Sequence, residues 1–241
     1  IAYLYSTDGM YGTIANVFAT YVFLFIVCGA ILQMTKVGDV FIDIAFALVG
    51  RFSGGAAKAS IISSGLVGSI VGSGAANIAV TGTFTIPLMK RSGYKPHYAA
   101  GVEAVASIGG HLMPPIMGAA AFIIAEFVGI SYFDVVKAAF IPAVIAYIGL
   151  LYIAHLEALK LNLRGLHPSA IPVLGRTFVR GIHYLIPIVI LVYLLAVERW
   201  SPASAVFYAI LALFVIILVR AVVDEMASDE PDFRSALWRG V

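Results

Sequence analysis

The chain has 241 residues and a formal net charge of +2; 61% of its residues are apolar and 12% are charged, and its mean hydropathy is +1.00. Soluble domains carry about 25% charged residues, so this composition excludes an ordinary soluble protein and indicates a membrane protein. The small net charge gives no reason to expect a nucleic-acid partner. The single cysteine, Cys28, excludes a disulfide framework and a cysteine-based metal site.

The ends of the sequence resemble neither a start nor a stop of a complete protein. It begins at Ile1 without an initiator methionine and without a charged leader, and it ends at Val241 in a polar stretch. We therefore expect residues 1–241 to be one membrane domain, a fragment of a longer polytopic helical protein.

Four apolar segments are long enough to cross a bilayer, for which about 20 residues are needed. They are residues 13–35, 134–160, 183–199 and 202–220. Residues 37–52 carry Asp39 and Asp43 four positions apart, which predicts an amphipathic helix in the membrane interface. The polar residues 161–182 are predicted to be a cytoplasmic connection, and Pro142 and Pro187 are expected to kink or open their helices.

Residues 58–91 are predicted to form a re-entrant helical hairpin. The 31 residues between Lys58 and Lys90 carry no charge, which is too many for one ordinary span and too few for two spans with a loop. The sequence GSGAAN at 72–77 divides this segment and is predicted to be its turn, near the middle of the membrane. Irregular backbone at that depth is tolerated only where protein or a water-filled cavity satisfies it.

Residues 96–128 are predicted to form a broken transmembrane helix. The sequence SIGGHLMPP at 107–115 ends in two prolines, which remove two backbone donors and disfavour helical geometry in the preceding residues. The expected fold is therefore all-α, with two interrupted segments next to each other in the chain.

The distribution of basic residues supports a re-entrant course for 58–91. If the hairpin enters from the cytoplasm, only Lys137 and Arg199 fall outside. Read as a full span, the segment would invert everything that follows it, against the positive-inside rule. The basic residues that then lie inside are Lys36, Arg51, Lys58, Lys90, Arg91, Lys95, Lys160, Arg164, Arg176, Arg180, Arg220, Arg234 and Arg239.

Discontinuous helices near the membrane midplane are where secondary transporters place substrates and coupling cations. Ser69, Ser73 and Asn77 recur every four residues. With carbonyl groups of Gly109 and Gly110, the oxygens of Ser73 and Asn77 would offer the hard, neutral ligands that a sodium ion accepts. The alternative is that these small residues only allow close helix packing.

Two further functions compete with transport. An ion channel would use the re-entrant loop as a filter, but a symmetric filter needs several chains around an axis. An intramembrane serine hydrolase would pair Ser73 with His111, although the sequence supplies no evident oxyanion partner.

Glu103 and Glu126 are the acidic residues of the broken helix segment. Burying a carboxylate is costly, so Glu103 is a candidate coupling or gating residue. Alternatively, its side chain reaches the membrane edge or pairs with a Lys or Arg there. Glu126 is expected to be solvated near the outer end.

The most specific parts of the sequence are the hairpin turn, TFTIPLMKRSGY at its exit and GGHLMPP. With the surrounding residues from about Thr13 to beyond Leu166, they resemble the large membrane subunit of tripartite ATP-independent periplasmic (TRAP) transporters, and most closely the permeases in which small and large subunits are fused. The resemblance implies an ion-transporter-type fold of inverted repeats, an elevator mechanism and sodium-coupled uptake of an organic acid.

The resemblance also implies site residues. The cation site would use Ser73, Asn77 and the backbone of Gly72 and Gly74, facing the interruption from Gly109 through Gly110 to Met113. Other members have Ser or Thr where this chain has Gly74 and Asn77. The residues expected to bind substrate are Ser69, Ser73, Thr81, His111 and Pro114.

The implied partners complete the transporter. They are a periplasmic substrate-binding protein, a small membrane subunit region, fused or separate, and a second half of the large subunit, within the lipid bilayer of a bacterial or archaeal inner membrane. No enzymatic activity and no cofactor beyond the sodium ion are implied. Dicarboxylates, amino acids and keto acids are all compatible substrates.

Overall fold

The computed structural model describes residues 12–35, 37–168 and 171–226, and in these ranges the chain consists of helices and their connections. The expectation of an all-helical protein is confirmed. Among the described residues, the helical stretches Thr13–Met34, Tyr132–Lys160 and Pro202–Val219 are long and apolar enough to cross a membrane. The helices are α1 (Thr13–Met34), α2 (Val37–Val49), α3 (Gly55–Val71), α4 (Gly74–Arg91), α5 (Pro96–Gly109), α6 (Ala119–Val128), α7 (Tyr132–Lys160), α8 (Leu174–Ala196) and α9 (Pro202–Met226).

Helices α3 and α4 form an antiparallel hairpin. Helix α3 ends because Gly72 adopts the left-handed conformation, with φ of 63°, which glycine adopts without steric cost. Ser73 is extended, and its Oγ accepts the N–H of Ala76 at 3.4 Å as the N-cap of α4. The hairpin tip is thus Gly72 and Ser73 alone, which is shorter than the predicted turn, and Asn77 lies within α4. The re-entrant course of the hairpin stays a prediction.

The next segment contains α5 and α6, separated by residues 110–118, here called the break. Pro96 begins α5, where its missing N–H costs no helical hydrogen bond. The break starts with a 3₁₀ turn at Gly110–Leu112 and continues through Pro114 and Pro115, which cannot donate to a helix. Helix α5 therefore continues three residues into the predicted interruption at 107–115.

Helix α3 lies at the centre of the described structure and packs against α2, α4, α5 and α7. Its small residues permit this, because bulky side chains would hold four neighbours apart. Even its serines Ser60, Ser63 and Ser64 are fully buried. The hairpin and α5 consequently form a compact inner unit.

Helix α2 has one buried and one exposed face. Val37, Phe41 and Ala45 are buried, whereas Asp39 and Asp43 are exposed on the other side. The buried face packs against α3 and α8. The helix is amphipathic, as its sequence pattern predicts, and its placement in the interface stays a prediction.

Helices α7, α8 and α9 lie towards the outside. Helix α8 begins at Leu174, inside the range predicted to be a connection, because a helix can extend beyond its apolar part, here Leu185–Ala196. Helix α7 continues through Pro142, and helix α8 continues through Pro187.

Three of the basic residues assigned to the inner side of the membrane fall outside the described part of the chain. Lys36, Arg234 and Arg239 lie outside the described residues.

Candidate ion and substrate site

The hairpin tip lies directly against the break. The Ile116 N–H donates to the Ser69 carbonyl oxygen at 3.1 Å. Ser69 is among the last four residues of α3, whose carbonyls lack partners within the helix. A Cβ added to Gly72 would lie 3.0 Å from the Met117 carbonyl oxygen. The two interruptions, more than 30 residues apart in the sequence, therefore meet at one place.

Gly68 of α3 and Gly110 of the break bring these two segments into backbone contact, one helical turn before the hairpin tip. A Cβ on Gly68 would lie 2.7 Å from Gly110 Cα and 2.7 Å from Asn77 Nδ2. On the other side of the tip, a Cβ on Gly74 would lie 3.0 Å from His111 Cε1. Asn77 and His111 thus both border the contact between the tip and the break.

Asn77 is fully buried, with 0% of its surface exposed. Its Nδ2 donates to the carbonyl oxygens of Ser64 at 2.8 Å and Ser107 at 3.5 Å. If the amide nitrogen and oxygen were exchanged, Oδ1 would face these two carbonyl oxygens, and no hydrogen bond could form between them. The two contacts therefore fix the orientation of the amide. Oδ1 then has no hydrogen-bond partner, and an unpaired buried acceptor costs about 1–3 kcal/mol. The site therefore contains a hard oxygen ligand that lacks a partner.

Glu103 is also fully buried, at the centre of a cluster of hydroxyl groups. Its Oε1 accepts hydrogen bonds from Ser64 at 2.8 Å, from Ser107 at 2.9 Å and from Thr81. Its Oε2 accepts a hydrogen bond from Thr85 at 2.7 Å. These donors come from α3, α4 and α5.

The expected alternative for Glu103, a pairing with Lys or Arg at the membrane edge, is wrong. The ion pairs found among the described residues are Lys137–Asp134 and Lys160–Glu157, and neither involves Glu103. Its partners are the neutral hydroxyls of the cluster. Glu126, in contrast, is exposed, and its solvation near the outer end stays a prediction.

Tyr147 of α7 joins the outer helices to this inner unit. Its ring packs against two glycines, because a Cβ on Gly65 would lie 2.7 Å from Tyr147 Cε1 and a Cβ on Gly109 would lie 3.3 Å from Cε2. Its hydroxyl donates to the Ala106 carbonyl oxygen at 2.6 Å, near the end of α5. The end of the interrupted helix is thus held from outside by one aromatic side chain.

The structure separates some of the residues that the sequence groups together. The Ser69 hydroxyl donates to Leu66 O at 2.7 Å within its own helix, and Thr81 belongs to the Glu103 cluster. Met113 packs in a hydrophobic cluster with Ile61. Pro114 lines a separate groove between α7 and α8.

The residues nearest to the predicted site are those of the tip, Asn77, the two glycines of the predicted interruption, and His111. Sequence reasoning missed Ser64, Thr85 and Ser107. The available signal was spacing, since Thr85 follows Thr81 by four residues and Ser107 follows Glu103 by four, which places each pair on one helical face.

A largely apolar groove opens beside the hairpin tip. It is lined by Gly72 and Ser73, by Gln33 and other residues of α1, and by Ile116 and Met117 of the break. Ser73 is exposed, and its hydroxyl caps α4. No hydrogen bond between this hydroxyl and His111 is found in the described part of the chain.

The model of the family described as the DctM component of the tripartite ATP-independent periplasmic transporter matches residues 5–234. The chain belongs to the DctM family. The resemblance found in the sequence is thereby confirmed. DctM proteins are integral membrane components of transporters, so this member is not an enzyme, and the hydrolase alternative is dropped.

The chain aligns with only part of the length of its named relatives. The 2,3-diketo-L-gulonate TRAP transporter large permease protein YiaN of Escherichia coli is 25% identical over 196 residues, which are 80% of this chain and 46% of that protein. The C4-dicarboxylate TRAP transporter large permease protein DctM of Pseudomonas aeruginosa is 36% identical over 91 residues, 38% of this chain and 21% of that protein. The isethionate TRAP transporter permease protein DctMQ of Oleidesulfovibrio alaskensis is 32% identical over 91 residues, 38% of this chain and 14% of that protein. The DctM-family chain spans less than half the length of the relatives it matches.

Proposed function

We propose that this DctM-family chain is part of a secondary transporter that couples sodium entry to the uptake of an organic acid across a bacterial inner membrane. Membership of a periplasmic transporter family supports the transport class. The names of three relatives mention C4-dicarboxylate, 2,3-diketo-L-gulonate and isethionate. These cargoes support an organic anion as the substrate.

The buried, unpaired Oδ1 of Asn77 carries the proposal of a sodium site. Helix α3 ends at Val71 and helix α5 ends at Gly109, both close to the contact between Gly68 and Gly110. Helix C-termini carry a partial negative charge and free carbonyl groups, which are the groups that coordinate sodium in transporters with discontinuous helices. Backbone oxygens of the tip and of the break, between Gly110 and Met113, would complete the coordination.

The substrate would bind at the opposite ends of the interruptions. Helices α4 and α6 begin at the tip and at the end of the break, and helix N-termini carry the positive partial charge that attracts a carboxylate. Ser73 and His111 lie at the start of α4 and can supply hydrogen bonds. The groove beside the tip provides access from the side of α1.

Substrate and cation would cross by an elevator movement of the inner unit relative to the outer helices. The contacts that join α3, α4 and α5 through Glu103 are buried, which supports their movement as one body. A periplasmic binding protein would deliver the substrate. The small membrane subunit and the remainder of the large subunit would complete the transporter.

Sodium-dependent thermal stabilisation of the purified full-length protein tests the cation site. A ligand that binds only the folded state stabilises it by about 2.7 kcal/mol when present at about 100 times its Kd. We expect sodium, and not potassium at equal ionic strength, to raise the Tm of the wild type. Asn77→Ala should abolish this shift, and Ser73→Ala should reduce it.

Ser131→Ala is the matched control for Ser73→Ala. Ser131 also caps a helix, since its Oγ accepts the Asp134 N–H at 3.2 Å, but it lies at the start of α7. Its variant should lose the cap and keep the sodium response. Equal shifts with sodium and potassium, unchanged in Asn77→Ala, would contradict a sodium site at the hairpin tip.

A further inference from the structure

We propose that Glu103 supplies the negative charge of the Asn77 cation site and positions the amide of Asn77. The proposal rests on the sodium site proposed above, and it adds a residue that does not touch the ion. Glu103 is therefore a positioning residue, which acts through the residues between its carboxylate and Asn77.

Two serines connect Glu103 to Asn77, because each bonds to Glu103 through its hydroxyl group and to Asn77 through its main-chain carbonyl oxygen. The hydroxyls of Ser64 and Ser107 donate to Glu103 Oε1 at 2.8 and 2.9 Å. The carbonyl oxygens of the same two residues accept from Asn77 Nδ2 at 2.8 and 3.5 Å. Moving the carboxylate therefore moves both acceptors that orient the amide, and with them the direction of Oδ1.

A third connection runs within α4. Thr81 lies one helical turn after Asn77. Its Oγ1 lies 2.8 Å from the Asn77 carbonyl oxygen, and it also contacts Glu103 Oε1. Glu103 can approach this helix because Gly82 has no side chain, since a Cβ there would lie 3.3 Å from Glu103 Cγ. The carboxylate thus reaches Asn77 through both helices of the hairpin and through α5.

The charge balance of the inner unit favours a cation near this cluster. Glu103 has 0% of its surface exposed, and the ion pairs among the described residues leave it without a positive partner. Neutral hydroxyl groups offset only part of the cost of burying a carboxylate. A monovalent cation at Asn77 Oδ1 would bring the missing charge into the same buried region, where the attraction is weakly screened.

A cluster that only holds helices together would stabilise the protein equally with and without sodium, whereas a charge that acts on the site changes the sodium affinity. The test is the sodium Kd of the full-length protein, obtained from the Tm at increasing sodium concentration with potassium holding the ionic strength constant. Glu103→Gln keeps the shape and removes the charge. We expect its sodium Kd to rise roughly tenfold, as for one unit charge within about 10 Å at an effective dielectric constant of about 20.

A pair of serine variants on α3 separates this role from general packing. Ser64→Ala removes one link between Glu103 and Asn77 and should also weaken sodium binding. Ser60→Ala is its matched control, because Ser60 is fully buried one turn earlier and donates only to Ala56 O, at 2.8 Å. Its sodium Kd should equal that of the wild type. If Glu103→Gln does not fold, the comparison of Ser64→Ala with Ser60→Ala decides.

The outcomes distinguish this proposal from the one on which it rests. A wild type that responds to sodium, with an unchanged Kd in Glu103→Gln and Ser64→Ala, would overturn the role of Glu103 and leave the sodium site standing. A wild type without any sodium-specific response would overturn the sodium site itself. A higher sodium Kd in Glu103→Gln and Ser64→Ala, with an unchanged Kd in Ser60→Ala, supports the positioning role.

Discussion

Helix α3 buries small polar residues, whereas helix α7 exposes large apolar ones. In α3, Ser60 and Ser64 are fully buried among neighbouring helices. In α7, Ile141, Ile145 and Ile148 are 65%, 63% and 59% exposed. A soluble protein would show the reverse arrangement, with the isoleucines inside and the serines outside.

This difference shows what holds each region in place. Lipid tails are as apolar as isoleucine, so helices in a membrane gain little by burying large apolar side chains against one another. Close backbone approach and hydrogen bonds between helices remain, and α3 uses both, through Gly68 and through Ser64. In α7, the large apolar side chains therefore lie on the exposed surface, which is the surface expected to face lipid.

The largest difference in stability is expected between two variants that each add one methyl group, one in α3 and the other in α7. Gly68→Ala should destabilise the protein by about 3 kcal/mol, since its Cβ would lie 2.7 Å from Gly110 Cα and overpacking against backbone costs about this much. Gly149→Ala in α7 meets nothing within 4 Å. It should leave stability unchanged or raise it by up to about 1 kcal/mol, because alanine favours helix more than glycine does. Thermal unfolding of the full-length protein in detergent measures both; similar Tm values for the two variants would contradict the comparison.

A smaller difference in stability is expected within α4, where one threonine is buried and another is exposed. The Thr85 hydroxyl is buried and donates a hydrogen bond to Glu103 Oε2 at 2.7 Å. Thr83 is exposed, and its hydroxyl donates to the carbonyl oxygen of Val80 at 3.0 Å. Thr85→Val should cost about 1.5 kcal/mol, the value of a hydrogen bond to a charged group. Thr83→Val should cost less than about 0.5 kcal/mol. A larger loss of stability in Thr83→Val, measured by the same unfolding experiment, would show that the Glu103 cluster does not stabilise the inner unit.

The smallest effect is expected from two tyrosines of α7. Tyr147→Phe loses the hydrogen bond to Ala106 O and should cost about 1 kcal/mol. Tyr152 is 61% exposed, and Tyr152→Phe should not change the Tm measurably. Equal Tm values for both variants and the wild type would indicate that Tyr147 contributes through its ring alone.

The interrupted segments could be anticipated from residues with special backbone properties. Gly72 permits the left-handed conformation that ends α3, and Pro114 and Pro115 cannot continue a helix, so each leaves a local signal. The family followed from the same segments and is confirmed by the match over residues 5–234.

The burial of polar groups could not be anticipated in the same way. The partners of Glu103 come from three helices, and Asn77 turns inward because of two carbonyl groups on α3 and α5. Such contacts depend on how helices pack, which hydropathy does not encode. The start of α8 at Leu174 was missed because Gly175, Thr177 and Gly181 disfavour a helix locally, and packing against neighbouring helices overrides such weak preferences.

The hydrogen bond from Ile116 N–H to Ser69 O joins the two interruptions by main-chain atoms only. Its donor and acceptor are present whatever side chains occupy these positions, except that proline at 116 would remove the donor. Mutation can therefore remodel the side chains of both segments over evolutionary time while this junction persists. Ligand preference could diversify around the junction without first rebuilding the attachment between the two segments.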